Sequence, residues 1–500
     1  MIEKQWRCEQ IYDTFSSQGE EIYYKSNIEE NLMYDKNGII KFLIVVLLTF
    51  WAGLSETALA NGPSTRGKAP KRFNVGVCTH FSQDKGIVEM NIESMINAGI
   101  GAIRDEVTWS SLEREKGRLV MPQRITQYVR CASEACLDVM LILDYANRLY
   151  DDGDRPRSAE AIEGFCRYAE FVARHFGKDV RLYEIWNEWD IGIGLPKKYD
   201  VGGSPEDYIK LLKAVYPRIK AVEPGAIVMA GGCTSGGVKK GWFEKIIQLG
   251  ALDYCDAVSI HSYNYGSKFP ERSPEACSAW MDDVQKMLRN YNNGKDVTFY
   301  VTEMGWPTHI GKRGTEPELS ASYLARLYLL ARTSPSFRGL WWYDFQDDGW
   351  RREYNENNFG IVRPDLTPKP HYYVMSDVSA LIAQSEYIDR LKTKDDNLWV
   401  LRFRHEQRDV WALWSSDDKE RQIILQTKFP PKRLMIQKLG HRPYESDWGF
   451  RDWVGRKSEF FLDKLSIVVG PRPFLISGDL AGVSVLQTIP RPCERDYAFE

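Results

Sequence analysis

"VRLYEIWNE", residues 180–188, is a short, nearly continuous apolar run that closes on an Asn-Glu pair. Such a run suits a strand covered on both faces, as in a parallel sheet flanked by helices. Seven more of its kind punctuate the chain: FNVGVCTH (73–80), GAIRDEVTW (101–109), DVMLILDY (138–145), AIVMAGG (226–232), DAVSIHSY (256–263), DVTFYVTEMGW (296–306) and RGLWWYDFQDD (338–348). Amphipathic segments lie between them, such as PEDYIKLLKAVYPRIKAVEPG and EACSAWMDDVQKMLRNYNNG, the latter stopped at Gly294. This alternation predicts an α/β fold, a (β/α)8 TIM barrel over residues 70–385. No Gly-x-Gly-x-x-Gly follows the first strand, which argues against a dinucleotide fold.

Beyond Ser385 the rhythm changes to short strands with polar turns, including NLWVLRFRHE, RDVWALWSS and LSIVVGPRPFLISG. Residues 386–500 are therefore expected to form a β-sandwich domain. No linker rich in Pro, Gly or Ser separates the two domains, so they should pack together and the second should buttress the first.

Residues 1–60 read as an N-terminal extension and a secretory signal. Lys36 and Lys41 precede an uncharged run from Phe42 to Leu54, and Ala58-Leu59-Ala60 supplies a small-residue cleavage pattern. Met33 would open a conventional signal, so it is the expected start, with cleavage after Ala60. A run of 13 is short for a bilayer span, which needs about 20 residues; an uncleaved membrane anchor is the rival reading. The protein is expected in the periplasm or outside the cell. Of nine cysteines only Cys8 precedes the cleavage site, and Cys131 and Cys136 sit in a helical pattern that points them apart, so no bridge is expected between them.

A formal charge of -3 provides no basic field for nucleic acid. Seven histidines with no strand-end His-x-His, and no Cys-x-x-Cys, argue against a metal-dependent hydrolase. No metal or other cofactor is expected, and a monomer is.

In such barrels the chemistry sits at the carboxyl ends of the strands. There the chain places His80, Arg104, Asp144, Asn187 with Glu188, His261 with Tyr263, Glu303 and Asp344. Glu188 closes the fourth strand and Glu303 the seventh, so both can face one axial pocket. Two carboxyl groups across a pocket are what glycosidic cleavage needs: one protonates the leaving oxygen, the other attacks the anomeric carbon or activates water. Arg104 could hold Glu303 ionised, leaving Glu188 as the acid with a raised pKa.

The motifs IWNEWD, VTEMGWPT, WSSLEREKG, WWYDFQDDG and NNFGIVRPDLTPKPHYY together resemble clan A of the glycoside hydrolases. Within it the chain is most similar to family 39, which includes bacterial hydrolases of secreted exopolysaccharide. The resemblance implies Glu188 as acid/base and Glu303 as nucleophile. It implies Asn187 as the ligand of the sugar 2-hydroxyl, with Arg104 and Tyr263 orienting the nucleophile. Trp342 would be the aromatic floor of the subsite, although alternation leaves the choice open between the two adjacent Trp residues. His80, Tyr145, Asn147, His261 and Trp306 are sugar contacts by position. The implied activity is that of a secreted retaining glycosidase, endo-acting on a bacterial polysaccharide. The alternative is a catalytically inactive carbohydrate-binding protein of an exopolysaccharide export system.

Overall fold

A computed structural model describes residues 73–199, 201–405, 407–426, 434–440, 460–461, 464–478 and 480–490. The segment read as an export signal, with Met33 and Ala60, lies outside the described residues. Among those described, no helix is long and apolar enough to cross a membrane.

Eight parallel strands close into a barrel in sequence order. They are β1 (Asn74–Cys78), β2 (Ala102–Thr108), β3 (Asp138–Asp144), β4 (Leu182–Ile185), β5 (Ile227–Thr234), β6 (Ala257–His261), β7 (Phe299–Met304) and β8 (Phe337–Trp342). Six fall inside one of the apolar runs; β5 continues two residues past its run, to Thr234, and β8 begins one residue before its run, at Phe337. The helices between them start where the sequence supplies caps. Ser158, Ser204 and Ser273 each accept a hydrogen bond from the backbone three residues on, and Pro205, Pro274, Pro317 and Pro370 occupy first helical positions.

Alternation along the strands decides what enters the barrel. Cys78, Ala102, Met140, Leu182, Met229, Ala257, Tyr300 and Trp341, one from each strand, pack together as a layer inside it. Residues of the same parity further along β2 and β4, Arg104 and Glu184, are buried above that layer. The remaining parity faces the helices and merges into the large outer core.

The C-terminal strands form two antiparallel sheets, as expected of a sandwich. One carries Leu434–Lys438, Phe474–Gly478, Arg408–Ser415, Leu398–His405 and Glu386–Arg390 in that order. The other carries Phe460–Phe461, Lys464–Val469, Arg421–Gln426 and Ser484–Pro490. The unit has its own core, but Leu401, Phe403, Ala412 and Trp414 belong to the barrel's apolar cluster. Polar contacts reinforce this seam. Buried Arg326, on the helix Pro317–Ala331, donates to Glu275 at 2.9 Å and to Asp418 at 2.6 Å, while Trp414 Nε1 donates to Glu275 at 2.6 Å. Cys131 is a free thiol, so the bridge to Cys136 is absent as expected, although Cys136 is disulfide-bonded.

Candidate active site

β4 ends at Ile185, and the next three residues leave extended geometry abruptly. Trp186 has φ +69° and Glu188 φ +49°, conformations that cost a non-glycine residue energy and must be held from outside. The clamp is local: Trp186 N–H donates to Leu143 O, and Glu188 N–H donates to Gly232 O at 2.8 Å. Gly232 cannot be replaced cheaply, because its φ is +53° and a Cβ there would stand 2.9 Å from Trp186 O. It lies in a bulge of β5 between Gly231 and Cys233. The bulge thus supports the turn that presents Asn187 and Glu188.

A second irregularity, between Val301 and Met304 in the pairing of β7 with β8, accompanies the inward turn of Glu303. Glu188 and Glu303 line one groove of about 510 Å³ with Arg104, Asn187, Tyr145 and Tyr263. An oxygen of each glutamate and a ring nitrogen of His261 lie within 4.8 Å of one another. The two carboxyl groups are thus close neighbours in one groove.

The two carboxyls have opposite surroundings. Arg104 Nη1 donates to Glu303 Oε1 at 2.7 Å, and the Tyr263 hydroxyl donates to Glu303 Oε2 at 2.9 Å. Burial alone would raise the Glu303 pKa, but the charges of His261 and Arg104 and these hydrogen bonds outweigh it and lower it. For Glu188 burial wins: its pKa is raised even though His261 Nδ1 lies 2.7 Å from Oε1. The charge of Glu303, with the same contact, overcomes the burial of His261 and raises its pKa too.

Arg104 is itself oriented from below. Its Nε and Nη2 reach Glu184 at 2.9 and 2.7 Å, and Nη2 donates to Asn187 Oδ1 at 3.0 Å. The chain of contacts continues, with Asn187 Nδ2 donating to the Tyr145 hydroxyl at 2.7 Å. Glu184 went unremarked in the sequence, although its parity on β4 matches Leu182 and so points it inward.

His80 and Tyr145 line the groove; His261 sits beneath it, against the carboxylates. Three expected sugar contacts do not reach it. Trp342 is fully buried, donates to Phe359 O at 3.1 Å and packs on Trp306 and His371, on the helix side of β8. The reason is alternation: with Trp341 inside the barrel, the next inward residue is Tyr343, which lines the groove beside Phe359 and Tyr265. Trp306 is likewise outward and fully buried, its Nε1 held by Arg272 O. Asn147 is spent on backbone groups, donating to Glu113 O at 2.8 Å and accepting from Leu149 N–H.

Among the described residues two groups could bracket a metal ion: Glu188, His261 and Glu303, and His80, Asp344 and Asp348. Both already contain protein cations. Arg104 serves the first; in the second His80, which Asp348 and Asp344 lift to about 9 against its burial, joins Lys85 at Asp348.

With this geometry the chain can be set beside known proteins. Residues 68–329 match the family model of cellulase, glycosyl hydrolase family 5. The chain belongs to that family. It is therefore a clan A glycoside hydrolase, a group whose enzymes cleave with retention. The likeness to family 39 also holds. A family 39 glycoside hydrolase from the gut symbiont Bacteroides cellulosilyticus is 25% identical with a TM-score of 0.66, over 82% of this chain and 81% of that one. The fold is shared at lower identity by a family 39 enzyme from Xanthomonas axonopodis pv. citri, at 13% and TM-score 0.54, covering 82% and 94% of the two chains. A family 30 endoxylanase from Clostridium papyrosolvens stands at 12% and 0.52, covering 82% and 98%.

Proposed function

We propose that this glycoside hydrolase is exported and acts within a polysaccharide chain of bacterial origin, as a monomer, with Glu188 as acid/base and Glu303 as nucleophile. The observation that carries the assignment is the contrast between two carboxyls of one groove: Arg104 and Tyr263 donate to Glu303 and favour its charged form, whereas burial raises the pKa of Glu188. Glu188 donates its proton to the glycosidic oxygen as the Glu303 carboxylate attacks the anomeric carbon. The leaving saccharide departs and a glycosyl ester forms on Glu303. Water, deprotonated by Glu188, then attacks the same carbon and frees Glu303. Asn187, held by Arg104 and Tyr145, faces the ring attacked.

Endo action is supported by a groove volume of about 510 Å³, more than one sugar ring needs. Export rests on the segment from Lys36 to Ala60. The bacterial polysaccharide rests on the family 39 likeness.

The test uses the full chain on a panel of exopolysaccharides with sizing of products. Glu303→Gln should abolish hydrolysis and keep saccharide binding. Glu188→Ala on an activated aryl glycoside should regain turnover with azide, giving product of retained configuration. Monosaccharide as the only early product would refute endo action, and wild-type hydrolysis by both mutants would return the inactive-binder reading.

A further inference from the structure

A second, smaller cavity of about 210 Å³ shares Thr79 and His80 with the groove, and its lining is rich in oxygen acceptors. It lies between the segment after β1, the helix Val88–Asn97 and the segment after β8, which contributes Asp344, Gln346 and Asp348. Asp344 is 1% exposed, and neither of its oxygens has a hydrogen-bond partner among the described residues. Asn91, on the helix, is 2% exposed. Its Nδ2 donates to Gln346 Oε1 at 2.9 Å, and Gln346 Nε2 donates in turn to Pro364 O at 2.6 Å. That relay fixes both amides and leaves Asn91 Oδ1 buried without a donor.

The protein cations beside the cavity do not answer these oxygens. His80 Nδ1 and Lys85 Nζ lie 2.9 and 2.7 Å from one and the same atom, Asp348 Oδ1. His80 comes only within 3.7 Å of Asp344, beyond a hydrogen bond. Lys369 is committed to Asp347 at 3.0 Å. Buried acceptors without donors are costly, a carboxylate most of all. Water supplies donors but no countercharge, whereas a cation answers both needs. An oxygen of Asp344 and one of Asp348 lie within 4.8 Å of each other. Two calcium–oxygen bonds of about 2.3–2.6 Å span that gap, and carboxylate and amide oxygens are the hard ligands this ion takes.

We propose that Asp344 and Asp348, with Asn91 Oδ1, form a calcium site that ties the segment after β8 to the helix after β1. The ion displaces the Lys85 ammonium, whose side chain is 41% exposed and returns to solvent, while His80 keeps its bond to Asp348. The site stands apart from the catalytic pair, so its test reads metal binding and stability and does not depend on the glycosidase reading.

The full chain is dialysed against EGTA and titrated with calcium chloride, followed by calorimetry and by thermal unfolding. One Ca²⁺ should bind per chain with a Kd of about 0.1–1 mM, the range of extracellular calcium modules. About 10 mM should raise Tm by about 3 °C. Asp344→Asn and Asp348→Asn, each nearly isosteric, should weaken binding about tenfold or more and remove the Tm response. Lys85→Met, at a part-exposed position that folding tolerates, removes the competing ammonium and should tighten binding about tenfold. No binding up to about 20 mM, well above the Kd range of such sites, overturns the proposal. So does a Tm rise that potassium chloride of equal ionic strength reproduces, or an affinity that none of the three substitutions moves.

Discussion

Tyr263→Phe is the most discriminating single change, because it deletes one hydrogen bond and little else. The Tyr263 hydroxyl donates to Glu303 Oε2 at 2.9 Å, while its ring packs edge-on against Tyr265, Tyr343 and Phe359 at 5.8 to 6.3 Å between centroids. Phenylalanine keeps the ring. A hydrogen bond to a charged group is worth about 1.5–3 kcal/mol net, and one pKa unit corresponds to about 1.36 kcal/mol. Losing it should raise the Glu303 pKa by about 1–2 units. The sign follows from the proposed role: as nucleophile Glu303 must be ionised to attack, so kcat/KM falls as pH drops through its pKa, and a higher pKa moves that acid limb upward. On the same proposal the alkaline limb reports loss of the proton from Glu188, whose pKa burial has raised. Tyr263 donates to Glu303 and not to Glu188, so that limb should stay. The assay is kcat/KM against pH on an activated aryl glycoside. A uniform drop at every pH, with the acid limb unmoved, would refute the claim that Tyr263 keeps Glu303 ionised.

Tyr343→Ala should raise KM and lower kcat by removing the groove's aromatic face. Trp342→Phe should leave both near wild type and lower stability by about 1–2 kcal/mol through the lost bond to Phe359 O, read by denaturant unfolding. Arg326→Ala leaves Glu275 and Asp418 without their buried partner, and a cost of about 3–5 kcal/mol should appear as a lower unfolding midpoint with little change in KM. Truncation after Ser385 exposes the barrel surface that Leu401, Phe403 and Trp414 cover, so the shortened chain should be insoluble on expression.

The barrel was legible because both its signals are local. Strands buried on two faces must be apolar throughout, and serine caps with N1 prolines mark the helix starts between them. The carboxylate pair was legible for a related reason: a polar residue at the end of an apolar strand has one sensible place to go. What misled was phase. Counting inward faces on β8 requires knowing which of Trp341 and Trp342 enters the barrel, and both are large enough to fill either core. The bulges in β5 and β7 are set by contacts from neighbouring strands, so nothing within either strand reveals them. Trp306 and Asn147 failed for the same reason, since being next to a strand end does not fix the direction of a side chain. Glu184 could have been found by parity from Leu182, but a charge in the middle of an apolar strand reads as an anomaly until Arg104 is seen above it.

Glu184 also bears on the role proposed for Glu303, because it lets an arginine hold that carboxylate without disabling it as a nucleophile. A guanidinium free to rotate would form a two-pronged pair with Glu303, occupying both oxygens with strong, parallel hydrogen bonds. Such a carboxylate would be ionised but a poor nucleophile, because attack would have to break that pair. Here Glu184, fully buried and accepting also from Thr302 Oγ1 at 2.7 Å, takes Nε and Nη2, which turns the fork so that only Nη1 points at Glu303. Glu303 therefore receives one donor on each oxygen, from Arg104 and from Tyr263. Each oxygen accepts one bond and keeps a lone pair, so the charge is stabilised while an unshared pair stays available to the anomeric carbon. The third glutamate, fully buried, lets the same arginine lower one pKa without blocking the attack proposed for Glu303.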